Sequence, residues 1–310
     1  MASVRRIGQW KFERRIGSGG NADVWRARGD DGREAAIKVL RQTGKERVER
    51  FRTEITALTS FGDHPGILPI FEWDVPERRT QENPAWLAMP IAELMETALG
   101  LDPEIDVVVG ALADIASTLA WLAERGFAHR DIKPSNLFCY EGRWVVGDLG
   151  LIWSAQGPPI TRAGRVVGSR NFVADEMIQD AANSDGRPAD VYSLAKTLWA
   201  LLTGRPSPPL GQQRFDEPSH RVTSYVPHKA IEPLELLIER ATRPDPSQRP
   251  TMEKMAAELK AWKTLSSRES APIDLGSAAK ELAVALEPAQ RERNAGHARD
   301  QLFNGILVRL

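Results

Sequence analysis

His129-Arg130-Asp131-Ile132-Lys133-Pro134-Ser135-Asn136 is the stretch on which the reading turns. It sets out the parts that move a phosphoryl group from a magnesium-bound nucleotide to a hydroxyl. Asp131 can orient an attacking alcohol and accept its proton. Lys133 can neutralise charge on the transferring phosphate, and Asn136 can hold a metal ion. Alone, the run could be a charged helix-to-strand loop. Its weight comes from three further segments at matching places along the chain.

Gly17-Ser18-Gly19-Gly20-Asn21-Ala22-Asp23-Val24 lies between two β-type runs. Its glycines let backbone amides approach phosphates with no Cβ in the way, and Val24 can pack on a base. By itself a glycine-rich run is more often a plain hairpin turn. Ala35-Ala36-Ile37-Lys38 follows, and Lys38 sits among Ala36, Ile37, Val39 and Leu40, where a bare ammonium is costly and needs an anion. Glu54, on the next helical stretch, is the natural partner, against the plain reading of a solvated helix carboxylate. Val145-Val146-Gly147-Asp148-Leu149-Gly150 then places Asp148 after an apolar run, 19 residues beyond His129, where it can bridge phosphate oxygens through magnesium.

With 310 residues the chain can bury a large core. Apolar content of 42% and charged content of 27% are those of a soluble globular protein. A formal charge of −1 gives no global attraction to nucleic acid or to an anionic membrane, so phosphate-binding charge must be local. Cys139 is the single cysteine, which excludes an intrachain disulfide and cysteine-rich zinc modules. A reducing, cytoplasmic location is expected. The start, Met1 to Arg6, leads into polar sequence with no apolar signal region, and no membrane span is expected. The longest apolar candidate, Asp106 to Leu122, is interrupted by Asp114 and reads as a buried helix.

The first part alternates short β-type runs (10–16, 22–27, 33–40, 67–73 and 86–89) with one helix over 46–61, whose Val48, Phe51, Ile55 and Leu58 share a face. Beyond residue 93 the pattern is mainly helical: 105–125 closed by Gly126, 190–203 closed by Gly204, 232–242, and 251–264 with Thr251 as cap. Two strands near 137–139 and 144–146 flank a Glu141-Gly142 turn. A polar break over 266–272 precedes a tail with helical character at 278–286.

Together these segments resemble a eukaryotic-type (Hanks-type) serine/threonine protein kinase over residues 8 to 264. The matching pieces are the glycine-rich loop, the strand ending at Lys38, Glu54 on the small-lobe helix, the His129 to Asn136 loop and Asp148-Leu149-Gly150. Three more follow in order: Gly168 to Glu176 as the end of an activation segment, Asp190-Val191-Tyr192-Ser193-Leu194 as the core helix, and Asp245 to Pro250. The resemblance implies an α+β, bilobal fold. A small, mainly antiparallel β lobe with one helix and the hinge would occupy 8–92, and a larger helical lobe 93–264. Residues 265–310 form a non-kinase tail.

It also implies ATP and Mg2+ as cofactors (Mn2+ as the alternative) and serine or threonine hydroxyls of proteins as acceptors. Lys38 would hold the α and β phosphates, braced by Glu54. Asp131 would be the base and Lys133 the phosphate clamp, with Asn136 and Asp148 on the metal. Ile16, Gly17, Ser18, Gly19, Gly20, Val24, Ala36, Met89, Ile91 and Ala92 would line the nucleotide site. His129, Arg130 and Asp190 would brace the catalytic loop, and Arg249 would pair with Glu176. Ser169 takes the family's threonine position. Thr161 is the first candidate for autophosphorylation, with Arg130 awaiting a segment phosphate. Departures are Ala22 for the third glycine, Leu149 for phenylalanine, Asp175 for proline and Ala195 for glycine. Asp175, beside Glu176, is expected to weaken the Glu176–Arg249 pair. A catalytically weak kinase-like scaffold and a small-molecule kinase are the rival readings. The tail's Leu282, Leu286, Leu302, Phe303, Ile306, Leu307, Val308 and Leu310 are too apolar for a free segment, so docking on the kinase, a partner, or a further domain is expected there. Ala- and Arg-rich usage points to a bacterial source.

Overall fold

The computed structural model describes residues 6–19, 22–41, 44–78, 80, 83–155, 170–228 and 230–269. Gly20, Thr161, Ser169 and the tail from 270 therefore lie outside the described residues. The small lobe is a six-stranded antiparallel sheet made of β1 (Arg6–Ile7), β2 (Trp10–Ser18), β3 (Ala22–Arg28), β4 (Glu34–Leu40), β5 (Glu72–Asp74) and β6 (Trp86–Met89). Their spatial order is β1-β2-β3-β4-β6-β5. Helix α1 (Lys45–Phe61) leaves β4 and buries the expected face, Val48, Phe51, Ile55 and Leu58, together with Glu54.

The larger lobe opens with β7 (Glu93–Leu94), α2 (Met95–Leu99) and α3 (Ile105–Glu124), which stops at Gly126 with φ 78. Two small sheets follow, one pairing β8 (Phe127–Ala128) with β11 (Trp153–Ser154), the other ordering β9 (Leu137–Tyr140) between β7 and β10 (Arg143–Val146). Tyr140 opposes Arg143 across β9 and β10, so Glu141-Gly142 is a two-residue turn, both residues at positive φ. The remaining helices are α4 (Asp175–Gln179), α5 (Gly186–Thr203), α6 (Glu232–Ala241) and α7 (Met252–Glu269). This is the α+β, two-lobed architecture that the sequence implied. By length and hydropathy α3 could cross a membrane, yet 67% of that window is buried, and the helix packs on α5 and α7.

Two expected elements are corrected. The run 67–73 is not one strand. Its first part leaves the small-lobe sheet and bridges β10, with Leu68 N–H donating to the Val146 carbonyl (3.0 Å) and Val146 N–H to that of Gly66 (2.8 Å). Pro69, which has no N–H, then interrupts the ladder before β5 begins. The polar break expected at 266 is helix instead: α7 runs to Glu269, and the buried Ser266 hydroxyl donates to Asp106 at the start of α3 (2.9 Å). One apolar core joins the lobes, from Leu40, Phe51 and Leu58 through Ile67, Leu87 and Val146 to Leu198 and Trp262.

Helix α5 is buried on nearly every side, as its composition implied, and it carries a lysine inside. The Lys196 side chain is fully buried, and its Nζ donates to the carbonyls of Pro209 (2.6 Å) and Gly211. Tyr192 Oη donates to the same Gly211 carbonyl (2.8 Å), Gln213 to that of Pro209 (3.0 Å), and Asn171 Nδ2 to that of Pro208 (3.0 Å). Lys196, Tyr192 and Asn171 thus pin the 208–211 loop against α5 and the segment before α4, and Gln213 closes the loop on itself.

Burial, opposed by Asp175, pushes the Lys196 ammonium down to about 7. Unfolded, a lysine titrates near ~10.4, so the native chain binds fewer protons between pH 7 and that value. The stability this contributes is complete above the unfolded value and is lost as pH falls to 7. Relative to Lys196→Met, the wild-type chain should gain stability from pH 7 to pH 9, by at most about 1.4 kcal/mol per pH unit. Urea midpoints of both proteins at the two pH values read this, and a constant difference contradicts it. Packing gives a second expectation. A Cβ on Gly66 would lie 1.9 Å from Thr118 Oγ1 and 3.0 Å from its Cβ and Cγ2, on the buried face of α3. Gly66→Ala should cost about 1 to 3 kcal/mol, with partial recovery in the Gly66→Ala/Thr118→Ala double variant.

Candidate active site

The loop between β8 and β9 is held from beneath by one carboxylate. Asp190, in the first turns of α5, accepts the backbone N–H of His129 at Oδ2 (2.6 Å) and that of Arg130 at Oδ1 (2.7 Å). It is 4% exposed, and burial pushes its carboxyl up to about 6 against the pull of His129, those backbone donors and Arg130. Above it, His129 is fully buried and receives the Asp131 N–H at Nδ1 (3.2 Å). The ring proton therefore sits on Nε2, which donates to the Gly147 carbonyl (2.9 Å). Gly147 N–H returns a bond to the Asn136 carbonyl (3.0 Å). Both backbone groups of the residue before Asp148 are thus bonded to the catalytic loop. A Cβ on Gly147 would meet the Phe138 ring at 2.8 Å, so only glycine fits without displacing that ring.

Within the loop, Asp131 Oδ2 accepts Lys133 Nζ (2.7 Å) and Asn136 Nδ2 (3.0 Å). Asn136 Nδ2 also donates to the Asp131 carbonyl (2.8 Å), so the amide oxygen is the atom left to face a cation. Arg130, at φ 70, turns its buried guanidinium to the Ala181 carbonyl (2.8 Å). Asp148 is likewise left-handed, φ 55 and ψ 66. Such a backbone costs about 1 to 3 kcal/mol in a residue with a Cβ and persists where surrounding bonds enforce it.

The opposite wall comes from the small lobe. Lys38 Nζ bonds Glu54 Oε1 on α1 (2.6 Å), as expected, and also Asp148 Oδ1 (3.0 Å). Burial would pull the Lys38 ammonium down, but Asp148 and Glu54 together hold it above its ordinary value. Burial pushes the Glu54 carboxyl up to about 7 against Lys38, with Asp148 adding to the push. Partial burial would also raise Asp148, yet Lys38 holds it below the usual carboxylate range. Its side chain stays 45% exposed, open to the cleft. Strand pairing sets Val24 opposite Lys38 and Ala36 opposite Met89, which puts all four on one face of the sheet. Ile16 is exposed at the lip; Ile91 and Ala92 are half-buried beyond β6. Gly17 and Ser18 end β2, paired with Val24 and Asp23.

Asn136 and Asp148 offer hard oxygen donors, which suit Mg2+ or Mn2+. Among the described residues there is no cluster of three or more His, Cys, Asp or Glu for a metal. Two protein ligands, completed by substrate phosphates and water, match the way magnesium is commonly held.

Behind the cleft, Arg249 uses all five of its donors. Nη1 bonds Glu176 Oε1 (2.5 Å) and the Pro188 carbonyl (3.1 Å), Nη2 bonds Glu176 Oε2 (2.9 Å) and the Pro244 carbonyl (3.1 Å), and Nε bonds the Arg243 carbonyl (2.7 Å). Asp175, beside Glu176, is exposed at the start of α4, and the two-pronged Glu176–Arg249 pair forms next to it. Leu149, in place of phenylalanine, is fully buried in the core. Sequence reasoning missed Gly147 as the link between the two loops and Lys196 as a tie on the 208–211 loop. A lone lysine inside an otherwise apolar helix was the available signal for the second.

The Arg249 side chain is 0% exposed, so removing its counter-charge leaves an uncompensated buried cation. Glu176→Ala should lower stability by about 3 to 5 kcal/mol and Glu176→Gln by less, read as denaturant midpoints. Equal, small effects would count against the pair as the tie of this region.

A protein kinase domain model matches residues 10–259. The serine/threonine-protein kinase PknA of Mycobacterium tuberculosis (strain H37Rv) is 29% identical over 208 residues, covering 64% of this chain and 47% of PknA. PkaA of Streptomyces coelicolor, also a serine/threonine-protein kinase, is 30% identical over 288 residues, or 83% of this chain and 50% of PkaA. PrkC of Bacillus subtilis, a third such kinase, is 31% identical over 276 residues, 82% of this chain and 40% of PrkC. The chain thus spans about half the length of the curated relatives it matches. With the domain model covering most of its length and these side chains assembled in one cleft, the chain belongs to the protein kinase family, alongside the Hanks-type serine/threonine kinases of bacteria.

Proposed function

We propose that this chain transfers the γ-phosphoryl group of ATP, with Mg2+ (Mn2+ as the alternative), to serine or threonine hydroxyls of protein substrates. The observation that carries the reading is the single ammonium of Lys38 bonded at once to Glu54 and Asp148. That contact ties the small lobe to the Asp148 segment, which Gly147 bonds to the catalytic loop, and the positioning on which phosphoryl transfer depends follows from it. Lys38 then orients the α and β phosphates. The Asp131 carboxylate takes the proton of the incoming hydroxyl while its oxygen bonds to Pγ and the bond from Pγ to the leaving β-phosphate oxygen breaks. Lys133, 2.7 Å from Asp131, is close enough to neutralise charge on the transferring group. Asn136 and Asp148 would hold the divalent cation, which neutralises charge on the phosphate oxygens when bound.

The acceptor is read as a protein because Arg249 and Glu176 rigidify the segment that follows the cleft, which a small alcohol would not need. Autophosphorylation within 156–169, Thr161 first, belongs to the same proposal, as do a cytoplasmic site of action and a docking role for residues 270–310.

Incubation with labelled ATP, divalent cation and a generic protein substrate tests this. Asp131→Ala should reduce the turnover number by about 10²- to 10⁴-fold with nucleotide binding retained. Lys38→Met should abolish transfer. Failure of the wild-type chain to bind nucleotide with either cation, or transfer to small alcohols alone, would overturn it.

A further inference from the structure

At the rim of the sheet a half-buried carboxylate has one shielded oxygen without a hydrogen bond among the described residues. Asp23, in β3, has Oδ1 shielded from solvent and without such a partner, although two guanidinium groups converge on it: Arg15 Nη1 and Arg41 Nη1, each at 3.6 Å. Arg41 directly follows β4. From there its Nη2 donates to the Gly19 carbonyl and its Nη1 reaches Ser18 Oγ (3.4 Å). Asp23 opposes Ser18 on one side and Val39 on the other, whereas Val24 opposes Gly17 and Lys38. Because side chains alternate along a strand, Asp23 lies on the sheet face opposite to Lys38. Arg41 therefore grips the glycine-rich turn from outside, at a carbonyl, without entering the nucleotide face.

We infer that Arg41 is a positioning residue for ATP, acting through the Gly17–Gly19 backbone and held in place by Asp23. The inference rests on the proposed reaction. Glycines lose more conformational freedom on ordering than other residues, so a loop of this composition costs binding energy when it closes on phosphates. A hydrogen bond to the Gly19 carbonyl, set before the nucleotide arrives, removes part of that cost. Asp23 keeps the guanidinium from swinging into solvent, which matters because Arg41 is 40% exposed. Arg15 flanks the same carboxylate and helps offset its burial.

The test compares Arg41→Ala, Arg41→Lys and Asp23→Asn with the wild type in ATP kinetics and in binding of adenosine, which has no phosphates. Arg41→Ala should raise the KM for ATP about tenfold, equal to about 1.4 kcal/mol, with kcat within about twofold and adenosine affinity unchanged. Arg41→Lys, which keeps one donor for Gly19, should recover part of the loss. Asp23→Asn should shift KM the same way by less. Unchanged KM in Arg41→Ala, or equal loss of ATP and adenosine binding, overturns the inference. A wild-type chain that neither binds nor turns over ATP would instead remove the reaction on which it rests.

Discussion

Two buried backbone N–H groups, those of His129 and Arg130, find their acceptors on one carboxylate, and the geometry of the cleft depends on that pairing. Each N–H would otherwise cost about 1 to 3 kcal/mol unsatisfied inside the protein. Asp190 spans them because α5 is almost wholly buried, which makes the helix a fixed post rather than a surface element. Arg130 can then hold φ 70, a conformation that ordinary residues avoid. From there the constraint passes through the His129 ring to Gly147, so that Asp148 is positioned by the same loop that carries Asp131.

Besides the shared apolar core, two polar contacts of different character tie the small lobe to this assembly. Lys38 makes an electrostatic contact, pulled between Glu54 and Asp148. The Gly66–Leu68 segment makes a backbone contact, bonded to Val146 just ahead of Gly147. The first is adjustable, since a cation arriving at Asp148 competes for the same carboxylate. The second is stiff, since it uses peptide groups tied to the end of α1 by the His64 turn.

How much of this was legible in the sequence depends on range. Glu54 lies 16 residues from Lys38 on a face fixed by helical spacing, and its partnership could be read directly. The Lys38 bond to Asp148 spans 110 residues, and no local pattern carried it. The pairing of Arg249 with Glu176, 73 residues apart, came only through resemblance to a family. Strand-like composition at 67–73 could not reveal that half the run would serve the other lobe. The polar composition near 266 misled because a serine in an amphipathic helix can be buried and bonded to a distant helix start, as Ser266 is to Asp106. Within secondary elements, periodicity was informative; between them, the hydrogen-bond partner was set by the fold.

The uninterrupted apolar core has a consequence for the lobes as physical entities. Phe51, Leu58 and Leu87 above, and Val146, Leu149 and Leu198 below, share one interior. Severed at the crossover near Pro90, each half would keep a smaller cluster of its own, around Trp10, Ile37 and Trp86 in one and Val173, Met177 and Tyr192 in the other, but would expose its share of the common core to water. The two lobes are thus not autonomous modules joined by a flexible string. They share one apolar interior, and the cleft opens beside it rather than dividing it.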